Sequence, residues 1–291
     1  MTGDFSYIPP TMNVLLFHPQ EWGFPIKSED RRYIHCRQIL GLKAGQEIRV
    51  GLVGGGLGTA RVLRLSKQSL ELDFPGKDEL EPGPGLVAVE LILGHPRPPV
   101  LRRLCRDLAT LGVGRISVCG TDLGEKSYFS SKVWNQELWR EDLLDGASQG
   151  GGCDLPEVRR FWSVGDYLGS LEPGMPRGGD AWLDGTEARQ HSRETGPVPG
   201  ANPAPGSRFV LHLGEGIPAL HRVLSMGMAG TDPTDGVLRI AVGPERGWTE
   251  REIQAFSAKG FAAAGLGRRI WRTEMAGLYA AALAVQYREG T

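Results

Sequence analysis

Cysteine is scarce in this chain: four residues in 291, Cys36, Cys105, Cys119 and Cys153, with no C-x-x-C pair among them. That scatter argues against a disulfide framework or a zinc ribbon and fits buried thiols in a reducing compartment. An excess of one charge is also missing, since 33 Lys and Arg stand against 34 Asp and Glu for a net charge of -1. A strongly basic, non-specific nucleic-acid binder is thereby excluded, and any RNA contact has to come from a local patch. No stretch approaches about eighteen uninterrupted apolar residues, and the N-terminus lacks the basic-then-apolar order of a secretory signal. The chain reads as soluble and cytoplasmic, with no membrane partner and no metal.

What is present points to two domains, the default at this length. Glu81-Pro82-Gly83-Pro84-Gly85 marks the boundary, because proline and glycine at that density cannot continue regular structure. Before it, residues 1–11 predict a flexible leader and residues 12–82 a small β-rich module. Strands are expected at Val14–Phe17, Gly45–Val50, Thr59–Leu65 and Ser69–Phe74, with a brief amphipathic helix at Tyr33–Leu40. The run Gly54-Gly55-Gly56-Leu57-Gly58 lies in this module and is followed by strand pattern rather than helix. It reads as a hairpin turn and not as a dinucleotide loop, so no nicotinamide cofactor is implied.

Residues 86–291 read as an α/β domain. Leu86–Leu93 is a nearly continuous apolar strand of the kind covered on both faces, Val100–Leu111 is helical, and Ile116–Cys119 is the next strand. That is the βαβ rhythm of a parallel sheet. One helix is expected at Val133–Leu144, and strands at Glu157–Phe161, Phe209–Leu213 and Val237–Val242. The segment after Cys119, reading GTDLGEKS, has the wrong glycine and lysine spacing for a phosphate-binding P-loop. Residues 172–207, crowded with glycine and proline, predict a mobile insert that cannot bury enough area to order itself.

The last fifty residues carry the densest signal. A strand at Val237–Val242 runs into Gly243-Pro244-Glu245-Arg246-Gly247, and a helix then opens on the capping box Thr249-x-x-Glu252. A second apolar segment, Phe261–Leu266, meets GRRIWRTE before a long helix rich in alanine and leucine. Two glycine-bearing loops thus follow two strands, where an open α/β sheet presents its ligand site.

GPERGWTEREI followed by LGRRIWRTEMA resembles the paired signature of the RsmE family of SPOUT-class RNA methyltransferases, which reads roughly GPEGG-(F/L)-S-x-x-E-(I/L) and then LG-x-R-(I/V)-LR-TETA. HCRQILGLKAGQEIRV is similar to a further stretch of that family, in its N-terminal barrel. The resemblance implies a SPOUT trefoil-knotted parallel-sheet domain preceded by a small PUA-like β-barrel that grips RNA. It also implies a homodimer that binds S-adenosylmethionine and methylates N3 of a uridine in small-subunit (16S) ribosomal RNA.

Carried over residue by residue, the resemblance places the cofactor against Leu213, Gly214, Gly243, Pro244, Glu245, Gly247, Leu266, Gly267, Ile270 and Trp271. Arg272 and Glu274 take the reaction roles, the guanidinium by stabilising the anion formed at N3, the carboxylate by accepting the proton or orienting Arg272. Read without the family, Thr273 caps the last helix and Glu274 complements its positive end. Lys126, Tyr128 and Lys132 would supply phosphate and stacking contacts to RNA, joined by Arg246 and Arg268, which replace a family glycine and proline. Leu15 and Gly41 stand where the family has arginines, so the cofactor half of the signature is kept and the RNA half is eroded. Two rival readings stay open: a relative that modifies another RNA or base, and a non-catalytic RNA-binding or assembly factor that retains the fold.

Overall fold

The computed structural model describes residues 14–171, 208–225 and 236–290; the expected leader at 1–11 and insert at 172–207 lie outside them. The chain divides into two compact units. One runs up to Gly85 and includes Ser148–Asp154; the other is Leu86–Ala147 with the chain from Leu155 onward.

The first unit holds β1 (Leu15–Phe17), β2 (Ile26–Lys27), α1 (Arg31–Ile34), β3 (Glu47–Leu52), β4 (Gly56–Leu65) and β5 (Ser69–Asp73). They form one mixed sheet in the order β1-β3-β4-β5-β2, with β1 parallel to β3 and the other pairs antiparallel. Ile48 and Val50, Ala60 and Val62, and Leu70 and Leu72 each sit two apart, so one face of the sheet buries all six with Phe17, Tyr33 and Cys36. β3 and β4 are paired from Leu52 and Gly56 onward, which leaves Val53, Gly54 and Gly55 as the hairpin turn and draws Gly56 and Gly58 into the strand. The guanidinium of Arg32 donates to Asp30, Glu21 and the Leu16 carbonyl and lies 4.8 Å over the Phe17 ring. Burial alone would raise both carboxyls, but this guanidinium, with the backbone N–H groups of His18 and Arg32, outweighs it and holds Glu21 and Asp30 below the usual carboxylate range. The returning segment is stitched in by Val14 N–H to the Ser148 carbonyl (3.3 Å) and Gly54 N–H to the Cys153 carbonyl (3.1 Å).

The second unit contains β6 (Val87–Gly94), α2 (Pro98–Thr110), β7 (Val113–Cys119), α3 (Lys132–Asn135), α4 (Leu138–Gly150, its end counted with the first unit) and β8 (Glu157–Phe161). It continues with α5 (Val164–Gly169), β9 (Arg208–Leu211), α6 (Leu220–Ser225), β10 (Leu238–Val242), α7 (Glu250–Ala258), β11 (Ala262–Ala264) and α8 (Thr273–Glu289). The six strands form a wholly parallel sheet in the order β11-β9-β10-β6-β7-β8. Val89, Leu91 and Leu93 face α2 and α8, where Leu101, Leu104 and Leu108 meet an alanine stripe at 276, 280 and 284. Ile92 and Ala241 face the other way, onto Tyr167, Trp248, Phe256 and Phe261. Helices on both faces explain why β6 and β10 are apolar at nearly every position.

The exception on β6 is Glu90, fully buried, which accepts from Ser117 Oγ at 2.6 Å and Arg239 Nε at 2.9 Å. A buried carboxylate is tolerable only when paired in this way. All four cysteines are buried and free, and burial pushes the Cys36 and Cys105 thiols up to about 11 and about 12. Among the described residues no helix is long and apolar enough to cross a membrane, and no His, Cys, Asp and Glu cluster could hold a metal ion.

Two sequence expectations need correction here. The single helix over Val133–Leu144 is two, α3 and α4, because Gln136 leaves helical geometry and Glu137 takes a positive φ of 50°. The break lets Trp134 and Trp139 both bury on one core, with Trp134 anchored by its indole N–H to His95 Nε2 at 2.8 Å. Thr273 does not cap α8: Arg272 occupies the cap position without a side-chain bond, and the Thr273 hydroxyl donates instead to the Gly243 carbonyl at 3.2 Å. The two-residue β2 and the short helices α5 and α6 were not visible in the sequence pattern.

Candidate functional site

Because every strand of the second unit runs the same way, all six carboxyl ends share one edge of the sheet. The strand order reverses between β10 and β6, which is where such sheets hold ligands. Three loops carrying sequence-predicted cofactor residues leave this edge from β9, β10 and β11, and hydrogen bonds join them. His212 N–H donates to the Ala264 carbonyl at 3.0 Å, Gly265 N–H to Pro218 at 2.9 Å and Leu220 N–H to Gly265 at 2.8 Å, so the loops after β9 and β11 are laced together. Gly247 closes a tight turn on the Pro244 carbonyl at 2.8 Å with φ +71°, a conformation that favours glycine. Through the Thr273 to Gly243 bond the start of α8 is tied to the loop after β10.

Within that frame Pro244 is buried against Gly94, where a Cβ would collide with the proline ring. Gly243 and Gly247 are half-buried, and Glu245 is exposed but accepts the Arg97 N–H at 3.1 Å. Leu266 and Trp271 pack on the core from its rim, the Trp271 ring 5.1 Å from Tyr279. Leu213, Gly214, Gly267 and Ile270 stand open to solvent, Ile270 at 86 % exposure. An apolar side chain that exposed, beside glycine turns and a half-buried indole, suits a flat apolar ligand.

Arg272 and Glu274 open α8 beside these loops. The Arg272 side chain is 78 % exposed, whereas Glu274 is only 24 % exposed. Glu274 Oε1 lies 3.9 Å from Arg272 and 3.6 Å from Arg103 on α2, between two cations.

The residues expected to meet RNA fall into two groups. Arg246 and Arg268 sit on the loops after β10 and β11, both exposed. Lys126, Tyr128 and Lys132 lie on the segment after β7, Lys126 in a tight turn over Lys126–Ser130 and Lys132 at the start of α3. The Tyr128 ring is 5.7 Å from that of His95.

Sequence reasoning missed two features of this edge. His95, directly after β6, is buried with both ring nitrogens engaged, Nδ1 to the Pro96 carbonyl at 2.8 Å and Nε2 to the Trp134 indole. Burial drives its pKa down to about 4, so the ring is neutral at ordinary pH. The second feature is a tie between the loops after β7 and β10. Asp122 accepts from the Thr249 hydroxyl at 2.7 Å and pairs with Arg251, and its N–H donates to Glu252 at 2.9 Å. The Arg251 and Thr249 bonds hold the Asp122 carboxyl below its usual range. The local signal for it was the capping box itself, whose Thr249 and Glu252 serve both the helix and the neighbouring loop.

A family model for the RNA methyltransferase domain matches residues 84–179 and 209–285, more than half of the chain. The ribosomal RNA small subunit methyltransferase E of Treponema pallidum (strain Nichols) is 32% identical over 275 residues, covering 94% of this chain and 90% of that protein. Among solved structures, a ribosomal RNA small subunit methyltransferase E from Neisseria gonorrhoeae bound to S-adenosyl methionine has a TM-score of 0.61 at 20% identity, covering 94% of this chain and 97% of that one. A putative methyltransferase from Legionella pneumophila in complex with the same cofactor has a TM-score of 0.63 at 17% identity, covering 95% and 97%. These two share the fold. With a domain model spanning both halves of the parallel-sheet unit and a relative aligned along nearly the whole chain, this protein belongs to the ribosomal RNA small subunit methyltransferase E family of RNA methyltransferases.

Proposed function

We propose that this protein is a cytoplasmic, S-adenosylmethionine-dependent methyltransferase acting on N3 of a uridine in small-subunit ribosomal RNA. The observation that carries the reading is the Thr273 to Gly243 bond, which brings the Arg272 and Glu274 pair to the edge of the glycine loops. The names borne by the Treponema relative and the cofactor-bound Neisseria structure support it from outside the chain.

The residues present fit the cofactor. Leu213, Leu266, Ile270 and Trp271 offer apolar surface for an adenine ring, and the turns at Gly214, Gly243, Gly247 and Gly267 let main-chain donors and acceptors approach ribose and adenine edges. When bound, S-adenosylmethionine supplies a sulfonium methyl group for an in-line displacement, so the protein's task is alignment. The Arg272 guanidinium donates to a uracil carbonyl oxygen and stabilises the charge that develops as N3 passes its proton to solvent. Glu274, shared between Arg103 and Arg272, acts as the positioning residue for that guanidinium. Arg246 and Arg268 add local positive charge where phosphates approach.

The same reading includes a homodimer and a SPOUT-type trefoil knot in the second unit. The dimer is supported by Met275, Leu278 and Tyr279, which present an exposed apolar strip on α8. The knot is supported by the strand order, which inserts β10 between β9 and β6.

Incubating unmodified small ribosomal subunits with the protein and methyl-labelled S-adenosylmethionine should yield 3-methyluridine by nucleoside mass spectrometry. Label in transfer RNA or in another base would replace the substrate assignment. No label in any RNA, together with no cofactor binding by calorimetry, would leave a non-catalytic RNA-binding protein.

A further inference from the structure

A cavity of about 310 Å³ opens at the carboxyl ends of β6, β7 and β8, lined by His95, Thr121, Glu125, Lys126, Phe129 and Trp162. Its size is at the small end of ligand pockets, suited to one nucleobase. Its walls are aromatic: the Phe129 ring stands 5.0 Å from Trp162 and 4.6 Å from His95. Trp162 is 66 % exposed, an unusual state for an indole, and the Arg160 guanidinium lies over it 5.4 Å from the ring centroid. The indole is further located by its own backbone, packed so tightly on Gly120 that a Cβ there would collide with the Trp162 carbonyl. Lys126 places an exposed ammonium on the wall, and the Thr121 hydroxyl has no hydrogen-bond partner among the described residues.

β8 lies three strands from β10 in the sheet. At a strand spacing of about 4.8 Å, Trp162 is roughly 15 Å from the loop after β10, beyond contact with a group transferred there. The Asp122 to Thr249 bond nevertheless ties the cavity's own loop to that one. We propose that this cavity is a recognition subsite for an unpaired nucleotide adjacent to the methylated one, its base stacked on the exposed Trp162 indole and its phosphate held by Lys126. Stacking on aromatic side chains is how unpaired RNA bases are gripped. The assignment rests on the RNA methyltransferase reading and specifies how that enzyme holds its substrate.

The test is equilibrium binding of a short fluorescent single-stranded RNA of mixed sequence to the full chain, for wild type, Trp162→Ala, Trp162→Phe and Lys126→Ala. Trp162→Ala should weaken binding about 5- to 150-fold, the range for loss of one base stack, while Trp162→Phe retains most of the affinity. Lys126→Ala should reduce the slope of log affinity against log salt by about 1. Thermal midpoints check that the variants fold. No binding by wild type, an unchanged affinity in Trp162→Ala, or an equal loss in Trp162→Phe would each overturn the subsite. Methylation of small subunits is measured in parallel with the same proteins. A wild type that grips RNA through Trp162 yet labels no ribosomal RNA would sink the functional reading while supporting the subsite.

Discussion

At the scale of single residues, Arg272 and His95 behave in opposite ways. The Arg272 side chain is exposed and, among the described residues, makes one long contact, to Glu274, so its removal should leave the fold untouched. We expect Arg272→Ala to lower kcat about 100-fold, the usual cost of one donor to a developing oxyanion, with cofactor affinity by calorimetry unchanged. A variant that instead lost stability or cofactor binding would assign the arginine a structural role. His95 is closed in, and it cannot gain a proton without losing the Trp134 bond to Nε2. An unfolded histidine titrates near 6.5 whereas the folded ring titrates at about 4, so the unfolded chain binds more protons across that window and stability rises with pH through it. Acidification from above pH 6.5 to pH 4 should therefore remove on the order of 3 kcal/mol through this residue. Urea unfolding at pH 7 and pH 4.5 checks it: His95→Gln should flatten the decline, and an identical decline in both proteins would refute the assignment. Neither behaviour was legible from residue type. An HP dipeptide after an apolar strand says nothing about an indole 39 positions later.

At the scale of elements, the capping box of α7 is the case where sequence and structure agree in detail. Thr249 Oγ accepts from Glu252 N–H at 3.3 Å and Glu252 accepts from Thr249 N–H at 2.8 Å, as the S/T-x-x-E spacing requires. Thr249 also binds Asp122, so Thr249→Ala should destabilise the protein by about 1 kcal/mol for the cap and about 1 kcal/mol more for the lost link, with Thr249→Ser near wild type. Chemical denaturation of the three proteins measures this, and a cost below half of that sum would show that the link to Asp122 is idle. The strands β6 and β10 and the helices α2 and α8 were equally readable, because continuous apolar runs and periodic stripes are local properties of the chain. The α3 to α4 break was not. Residues 133–144 have helical composition, yet Glu137 takes a positive φ at the break, where Trp134 on one side and Trp139 on the other both enter the core.

At the scale of the whole molecule, the exposed strip on α8 makes a prediction about assembly. Light scattering should give twice the 31.6 kDa chain mass for wild type, and Leu278→Arg should shift it toward a single chain by placing a charge in that apolar strip. A wild-type mass of one chain at working concentration would remove the homodimer. By itself the sequence determined the alternation of strand and helix, the capped helix and the paired glycine loops, since each is encoded by residues within about a dozen positions of one another. Only the tertiary structure decided what those loops touch. The contacts that build the candidate site join residues 30, 127 and 148 positions apart, Thr273 to Gly243, Thr249 to Asp122 and Arg97 to Glu245. They exist because a parallel sheet gathers every carboxyl strand end on one edge, and no periodicity in the chain records which ends become neighbours.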